Sequence, residues 1–401
     1  QRYIFSTVCV AAMVLVVRCW LTHYGNMNGT NPGVVAVYYI PPLAALFVTL
    51  HWALQALPQS ALEFFTQWQQ VIMAQIVYLL IILSLAVITL SPLLVYMLPT
   101  RADSSIQIPY QAKFKHIVPT LYNQLKVRLG EKQDPSGVDE KPPIVYGLGS
   151  VYSASVVTLV SVVSLLLILL LGDGMAPSLL LATVLLYMFL ELYSVSVSGQ
   201  EHDLVTEGPT WSSMIMLNLL SSIFFYSTGH QPTIPSIRFE SAYTGFYGDF
   251  STFILPGFLI WLNTFAGTIF FSLACPALIF WPLLSSAVVR WMLKRTPEQK
   301  QETWKGDFKI FDNATQLRKR VFRVCCGMIV ISSLKLLSAA CASALHRRHL
   351  MVWKIFAPRF VYEAAFFVTT STCVLLAFLY VMRVDNTLSK FIKNLPTKKQ
   401  N

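Results

Sequence analysis

Charged side chains are scarce in this sequence. They make up 12% of its 401 residues, whereas hydrophobic residues make up 55%. A soluble domain usually carries about 25% charged residues, so the composition excludes an ordinary soluble enzyme and a disordered chain. The glycine-rich phosphate loop, the zinc-protease helix motif and the nucleophile elbow are also missing. The seven cysteines form no C-x-x-C pair, which argues against a disulfide framework or a cysteine zinc site, and we expect no metal site in this chain.

Long apolar runs are abundant. Nine segments have about the length that crosses roughly 30 Å of hydrocarbon. Runs such as 156–171 are apolar on every face, which indicates helices rather than the alternating strands of a membrane barrel. The predicted fold is therefore an all-α polytopic membrane protein with about nine transmembrane helices and no soluble domain. The nine segments are expected at 3–22, 34–54, 71–98, 151–171, 175–198, 210–226, 253–289, 321–345 and 360–382.

One of these segments, 253–289, is longer than a single span requires. The dipeptide Cys275-Pro276 interrupts it. Proline is tolerated in membrane helices when neighbouring groups satisfy the freed carbonyl. The pattern fits either one tilted, kinked helix or a re-entrant piece followed by a span.

Lysine and arginine are concentrated in three polar regions, which nine spans put on one side of the membrane. These regions hold 22 of the 30 basic residues and comprise 99–143, 290–323 and 383–401. Cytosolic loops are enriched in Lys and Arg, so we expect a cytosolic C-terminus. We interpret the net charge of +11 as this topological bias and expect no nucleic-acid partner.

The expected organisation follows from this topology. Residues 1–98 contain helices 1–3, and residues 99–150 form a cytosolic connector. Helices 4–9 occupy 151–382 and are followed by a basic cytosolic tail at 383–401. The loops on the opposite, lumenal side include 227–252 and 346–359.

The loop expected at 227–252 combines polar side chains with aromatic residues. His230, Gln231 and Arg238 lie in it, close to a predicted span. Polar side chains at a membrane surface can hold a lipid headgroup, and an arginine can contact its phosphate. An ordinary loop with satisfied turns has the same composition, so both interpretations stay open.

The second candidate is the loop 346–359, which carries four Lys or Arg residues and no acid. The nine-span topology puts this loop on the lumenal side, against the usual charge bias. Arg347 and Arg348 are therefore candidates for contacts with anionic lipid phosphates. The alternatives are a wrong span count near this point, or side chains that only snorkel to the interface.

Charged residues within the apolar segments are a third feature. A charge at the bilayer centre costs roughly 2.5–3.5 kcal/mol on insertion scales, so such residues usually face a partner or a cavity. Arg18, Glu191, Lys335 and Glu363 fall inside or at the edges of spans, and Glu191 and Lys335 are the deepest. A structural ion pair and a substrate-lining role both fit these two residues.

Several longer strings are similar to one protein family. They resemble the membrane half of the GPI ethanolamine phosphate transferases, most of all the third, PIG-O-like group. The similarity is firm from about 150 to 390 and general before that. The strings are FFYSTGHQPTIPSI at 224–237, AYTGF at 242–246, NTFA at 263–266, CPAL at 275–278, RRHLMVWKIFAPRF at 347–360 and VMRVD at 381–385.

The resemblance implies a role in GPI-anchor biosynthesis in the endoplasmic reticulum membrane. Members of this family transfer phosphoethanolamine from phosphatidylethanolamine to a mannose of the GPI precursor, the third mannose for PIG-O-like enzymes. Their chemistry belongs to a lumenal domain similar to alkaline phosphatases, with a threonine nucleophile and two zinc ions. This sequence shows no such domain, so no catalytic residue is carried over, and the missing initial methionine agrees with a C-terminal membrane portion.

Within such an enzyme, this chain is expected to anchor the catalytic domain and to help present the lipid substrates. The resemblance also implies association with a small PIG-F-like membrane subunit. Whether the chain alone is part of an enzyme stays open. The alternatives are a noncatalytic membrane assembly subunit, and a lipid transporter or scramblase with Glu191 and Lys335 along its path.

Overall fold

The described part of the chain is helical and contains no strand. The computed structural model describes residues 2–24, 32–56, 67–90, 148–198, 211–246, 253–281 and 314–394. Its helices are α1 (Arg2–Tyr24), α2 (Pro32–Ala56), α3 (Gln67–Leu90), α4 (Leu148–Leu171), α5 (Ala176–Ser198), α6 (Trp211–Ser227), α7 (Ile254–Thr264), α8 (Ala266–Leu273), α9 (Ala277–Phe280), α10 (Ala314–Leu345) and α11 (Leu350–Asn394). Short 3₁₀ turns occur at Asp173–Met175, Ile234–Ser236 and Phe239–Tyr243.

Several of these helices are long enough to cross a membrane. Within the described ranges, four helices have the necessary length and apolar composition, and one bent helix pair gives a fifth candidate. Every predicted apolar segment overlaps a helix, so the all-helical prediction is confirmed, whereas nine spans are not identified. The four helices are Gln69–Leu90, Asp173–Ser196, Arg318–Leu345 and Leu350–Thr387, and the bent pair is Ile254–Thr264 with Ala266–Phe280.

Helix α4 lies at the centre of the bundle. Most of its described side chains are buried, and it contains no charged residue. A helix that is apolar on every face is stable when other elements surround it. In agreement with this, α4 contacts α1, α2, α3, α5, α7, α8, α9 and α11.

The predicted segment 253–289 is a broken helix, but its main bend is not at proline. The chain turns by 72° between α7 and α8, at Phe265, and a second break around Pro276 separates α8 from α9. The prediction recognised only the interruption at Cys275-Pro276. Packing explains the missed bend, because the Phe265 ring lies against Phe366 of α11 while α7 contacts the turn Phe239–Tyr243.

Helix α11 corrects the predicted lumenal loop 346–359. The helix begins at Leu350, so the loop shrinks to a turn at 346–349. Pro358 lies within the helix and does not end it. Proline removes only one backbone donor, and membrane helices tolerate that loss.

The other predicted connections are only partly described. Helix α11 continues to Asn394, so the beginning of the predicted tail 383–401 is helical. Of the predicted connector 99–150, residues 148–150 form the start of α4, and the rest lies outside the described residues.

Polar groups join three helices at one end of the bundle, which we call the Asp385 end. The Asp385 carboxylate is only 3% exposed. It accepts hydrogen bonds from the Tyr152 hydroxyl of α4 and from Arg318 Nε of α10, both at 2.9 Å. Arg318 also donates to Asn386 Oδ1 at 2.9 Å. The network therefore fixes the starts of α4 and α10 against the end of α11.

Charges recur at the opposite end, which we call the His230 end. There, Lys335 of α10 faces Glu363 of α11. Glu363 precedes Asp385 by 22 residues, which is about 33 Å along a helix. Residues 364–382 between them carry no charge. This spacing matches the roughly 30 Å of bilayer hydrocarbon, so the two charged levels mark the edges of the apolar region.

Replacing Asp385 tests the network at the Asp385 end. Asp385→Asn keeps the shape but leaves Arg318 and Tyr152 with a neutral, weaker acceptor. Loss of charge-assisted hydrogen bonds at a buried group is expected to lower the free energy of unfolding by about 1–3 kcal/mol. Thermal unfolding of the purified protein in detergent measures the effect.

Asn386→Ala is the matched control. It removes one exposed hydrogen bond to Arg318 and is expected to change stability by no more than about 0.5 kcal/mol. Equal stability of Asp385→Asn and the unsubstituted protein would contradict a structural role for this network.

Candidate functional site

The segment 228–246 folds over the His230 end of the bundle. It contains the turns Ile234–Ser236 and Phe239–Tyr243. The Tyr362 hydroxyl of α11 donates to the carbonyl oxygen of Thr233 at 3.0 Å. The segment is therefore held by tertiary contacts and is more than the ordinary connecting loop that its composition allows.

Helix α3 holds the end of the same segment. The Tyr78 hydroxyl donates to the carbonyl oxygen of Thr244 at 2.9 Å, and Gln75 Nε2 donates to that of Gly245 at 3.1 Å. Gly245 has a φ of +81°, and a Cβ atom there would lie 2.8 Å from Cε2 of Tyr78. Glycine is therefore required at this turn, both for its backbone conformation and for the close approach of α3.

Two of the predicted site residues meet at Thr228. His230 Nδ1 lies 2.9 Å from the Thr228 hydroxyl, and Arg238 Nη2 donates to the Thr228 carbonyl oxygen at 2.8 Å. Gln231 is exposed beside them, and its backbone carbonyl accepts a hydrogen bond from the Ser236 hydroxyl at 2.6 Å. The structure thus joins His230 and Arg238 in one cluster and leaves the Gln231 side chain open.

The hydrogen bonds of Thr228 indicate which nitrogen of His230 is protonated. The Thr228 hydroxyl shares its one hydrogen between the carbonyl oxygens of Phe224 and Phe225, both at 3.0 Å. It therefore accepts from His230 Nδ1–H, which leaves the lone pair on Nε2. Nε2 is buried and has no hydrogen-bond partner in the described part of the chain. This atom is suited to accept a hydrogen bond from a hydroxyl or ammonium group.

Two effects keep the His230 imidazole neutral. The residue is only 2% exposed, and burial, followed by the positive charge of Arg238, lowers the pKa of His230 to about 4. A neutral imidazole is a hydrogen-bond acceptor and also a possible metal ligand. However, the described residues contain no group of three or more His, Cys, Asp or Glu side chains that could hold a metal ion.

Aromatic rings lie beneath this segment. The Phe225 ring stacks on His230 with centroids 5.5 Å apart and meets Phe366 edge-on at 4.9 Å. Phe265 lies against Phe366 and Tyr362 at 5.0 and 6.3 Å. We call Phe225, Phe265, Tyr362 and Phe366 the aromatic cluster. It connects α6, the bend between α7 and α8, and α11.

A charged pair lies next to the aromatic cluster. Lys335 Nζ is 3.7 Å from Glu363 Oε2 and donates to the Ser222 hydroxyl at 3.0 Å. It also lies 5.5 Å from the centroid of the Phe366 ring. The ion pair that the sequence allowed for Lys335 therefore exists, with Glu363 as the partner.

Glu191 lies elsewhere in the bundle. It is half-buried on α5 and makes an interaction of its own. It follows the start of α5 at Ala176 by 15 residues, about 22 Å along the helix. Because α5 starts at the His230 end, Glu191 lies toward the Asp385 end, and Lys335 and Glu191 occupy different depths.

The predicted residues Arg347 and Arg348 lie at the outer end of the helical hairpin formed by α10 and α11. We call residues 336–361 the α10–α11 tip. Residues 333–361 include none that is fully buried. An open groove of about 660 Å³ lies along the tip. It is lined by Ala340, Ser343, Ala344, Arg347, Arg348, Leu350, Trp353 and Phe360.

The tip extends beyond the apolar region of the bundle. Leu350 precedes Glu363 by 13 residues, which is about 20 Å of helix. The two arginines are therefore well separated from the His230 cluster along the bundle axis, although both lie at the same end. Exposed apolar side chains surround them, including Leu345, Leu350, Met351 and Ile355.

Sequence reasoning did not predict the contacts of three contributors to the site. Thr228 fixes the His230 imidazole, Ser222 binds Lys335, and Tyr362 holds the loop. A pairing signal for Lys335 was present, since antiparallel helices joined by a short turn bring residues at similar distances from the turn together. Lys335 and Glu363 lie 11 and 14 residues from the turn 346–349. No comparable sequence signal identifies Ser222 or Tyr362.

Acidification is expected to loosen the segment 228–246. The unfolded imidazole has a pKa near 6.5, whereas that of His230 is lowered to about 4. The unfolded segment binds more protons between these values, so stability is lost as the pH falls below about 6.5, by up to about 1.4 kcal/mol per pH unit. Amide hydrogen exchange of 228–246 at pH 7 and 5, corrected for intrinsic rates, measures this loss.

His230→Gln is the control for this pH effect. Glutamine does not titrate in this range, so the variant should show equal protection at both pH values. The same acid-induced opening in His230→Gln would assign the effect to another group.

Comparison with known proteins gives a match to one family. The chain matches the family described as "GPI ethanolamine phosphate transferase membrane region" over residues 152–386. It is 29% identical to the human "GPI ethanolamine phosphate transferase 3, catalytic subunit", and the alignment covers 96% of this chain and 38% of that protein. The mouse protein of the same name is 30% identical, over 98% of this chain and 38% of its own length.

Another relative matches a shorter part of the chain. The Saccharomyces cerevisiae "GPI ethanolamine phosphate transferase 3" is 30% identical over 40% of this chain and 13% of its own length. No solved structure matches the chain. The chain spans little more than a third of the length of its mammalian relatives. Since the family match covers more than half of the sequence, the chain belongs to the GPI ethanolamine phosphate transferase family, of which it carries the membrane region.

Proposed function

We propose that this chain is the membrane region of a transferase that moves phosphoethanolamine from phosphatidylethanolamine to the third mannose of the GPI precursor. The chain anchors the catalytic domain and presents the lipid substrates to it. The two zinc ions belong to the catalytic domain, and a PIG-F-like membrane subunit is a partner. The family match and the similarity to two mammalian transferases named 3 support this proposal.

The proposal includes a topology in the endoplasmic reticulum membrane. The chain crosses the membrane nine times, with the Asp385 end in the cytosol and the His230 end in the lumen. Basic residues near the Asp385 end support this orientation through the positive-inside bias. In α10 and α11 they include Arg318, Lys319, Arg320, Arg323 and Arg383.

The α10–α11 tip is the observation that carries the proposed presentation of lipids. Its groove combines two arginines with the aromatic side chains of Trp353 and Phe360. Arginine binds phosphate through paired, charge-assisted hydrogen bonds, and aromatic residues favour the membrane interface. A groove of this composition suits a phosphate-bearing headgroup that reaches beyond the bilayer surface.

The His230 cluster supplies a second contact at the same end. His230 Nε2 is a buried acceptor without a partner in the described ranges, and the Gln231 side chain lies exposed beside it. Hydroxyl groups, which are abundant in a glycan, are donors to such an acceptor. Arg238 holds the loop through Thr228, so its role is to position this surface.

Loss of the tip arginines is expected to impair GPI processing. The complete protein that carries this chain is expressed in cells that lack their own transferase 3, and surface GPI-anchored proteins are measured by flow cytometry. Arg347→Ala with Arg348→Ala should reduce transferase turnover at limiting lipid by about ten-fold for each lost contact, since a charge-assisted hydrogen bond contributes about 1.5 kcal/mol.

Lys354→Ala provides the matched control. Lys354 is also an exposed basic residue of α11, but it does not line the groove. It should restore GPI-anchored proteins as well as the unsubstituted protein at equal expression. Full rescue by the double arginine variant would contradict a substrate-contacting role for the tip.

A noncatalytic assembly subunit is the alternative that shares the family membership. Such a subunit supports a partner enzyme without contacting its lipids. It predicts that the double arginine variant affects complex assembly and GPI processing together. Co-purification of the PIG-F-like subunit with the variant distinguishes the two functions, because the proposed function predicts normal assembly with reduced processing.

A further inference from the structure

The charged pair of Lys335 and Glu363 lies at the depth of lipid headgroups. Lys335 contacts Ser222, which is five residues before the end of α6 at Ser227. Five residues correspond to about 7.5 Å of helix. The pair also borders the uncharged stretch 364–382. Its position therefore coincides with the boundary between hydrocarbon and headgroups on the His230 side.

The pair is loose for two opposite charges at such a boundary. Its N–O distance is 3.7 Å, whereas charge-assisted hydrogen bonds between such groups are about 2.7–2.9 Å. In the described part of the chain, the Glu363 carboxylate accepts no hydrogen bond, and the Lys335 ammonium donates only to Ser222. Both groups therefore keep unused hydrogen-bonding capacity.

Access to the pair is from the bilayer. The Lys335 side chain is 35% exposed and that of Glu363 is 13% exposed. Val330 and Leu334 of α10 and Val368 of α11, which lie on the hydrocarbon side of the pair, are exposed apolar residues. Exposed apolar side chains on a membrane helix contact acyl chains, so a molecule that reaches the pair from this side has an apolar part.

We propose that Lys335 and Glu363 bind the headgroup of a zwitterionic phospholipid that carries a primary ammonium. Lys335 and the Ser222 hydroxyl contact the phosphate, and Glu363 accepts hydrogen bonds from the ammonium. A primary ammonium has three donors, whereas a trimethylammonium has none, so Glu363 provides selectivity for ethanolamine over choline headgroups. This inference rests on the proposed function, since it assigns residues that hold the phosphoethanolamine donor.

Lipid binding by the purified protein tests the assignment without requiring catalysis. The protein is placed in nanodiscs of phosphatidylglycerol with small amounts of either phosphatidylethanolamine or phosphatidylcholine, and the lipid that co-purifies after detergent extraction is quantified. The unsubstituted protein should retain phosphatidylethanolamine about ten-fold over phosphatidylcholine, the effect of one charge-assisted hydrogen bond. Equal retention of the two lipids would overturn the proposal.

Three variants separate the roles of the two charges. Glu363→Gln should retain both zwitterionic lipids equally, because the carboxylate that selects the ammonium is gone. Lys335→Gln should weaken retention of both, because the phosphate contact is lost. Glu191→Gln, the matched control at a different depth, should keep the preference. An unchanged preference in Glu363→Gln would overturn the proposal.

A purely structural ion pair gives a different result. It predicts that Glu363→Gln lowers the melting temperature in lipid-free detergent but leaves the lipid preference of the folded fraction intact. Lys335→Arg keeps the positive charge. Unlike Lys335→Gln, it should therefore keep both the stability and the lipid retention of the unsubstituted protein. Restored stability without retention would overturn the phosphate contact.

Soluble phosphoethanolamine distinguishes the lipid from its free headgroup. The opening toward the bilayer predicts no displacement of bound phosphatidylethanolamine by millimolar phosphoethanolamine. Displacement would overturn the lipid assignment.

The proposed function and the donor-site inference can fail separately. If the tip variants impair GPI processing while the preference for phosphatidylethanolamine over phosphatidylcholine is absent, the donor-site inference fails and the proposed function stands. If the preference exists but the tip variants process GPI normally, the presentation of substrate by the tip fails instead.

Discussion

The energetic cost of placing charge in hydrocarbon organises this molecule. The described part of α11 carries no charge between Glu363 and Arg383, and the length of this stretch, about 30 Å of helix, matches the apolar thickness of a bilayer. At one boundary, Asp385 is buried and fully engaged by Arg318 and Tyr152. At the other, Lys335 and Glu363 are only loosely joined. The first arrangement stabilises the bundle, whereas the second leaves polar groups available to a ligand.

The architecture of the His230 end, beyond the level of Lys335 and Glu363, follows from packing against α11. The bend between α7 and α8 puts Phe265 against Phe366, and the same region of α11 holds the loop through Tyr362. Burial then keeps His230 neutral and leaves one nitrogen without a partner. The tip continues about 20 Å further with exposed apolar and basic residues. Three polar surfaces of different character are thus arranged along one end of the bundle.

Much of this fold is encoded in patterns that a sequence shows directly. Uninterrupted apolar runs predict helices such as α4, because only a helix satisfies its own backbone in an apolar environment. The bend at Phe265 has no such signal, since it depends on rings from α6 and α11 meeting in space. The loop 346–359 was predicted too long because its basic residues and Pro358 have the composition of a loop. Exposure of that region at the tip allows basic residues within a continuous helix.

The sequence indicates the residue types of the candidate site but not their pairings. Polar composition identified His230 and Arg238, and it is Thr228 that brings them together. Intramembrane charge identified Lys335, while helix pairing determines that its partner is Glu363 and that Glu191 lies at another depth. Hydrogen-bond partners such as Ser222 and Tyr362 are ordinary residues whose role arises only from the tertiary arrangement.

The coding sequence upstream of Gln1 tests the central claim most directly. Sequencing the full transcript shows which protein contains this chain. The account predicts an in-frame region that encodes a threonine nucleophile and the Asp and His ligands of a two-zinc phosphotransferase. A start codon immediately before Gln1, with no such region, would contradict the claim that this chain is the membrane region of a transferase.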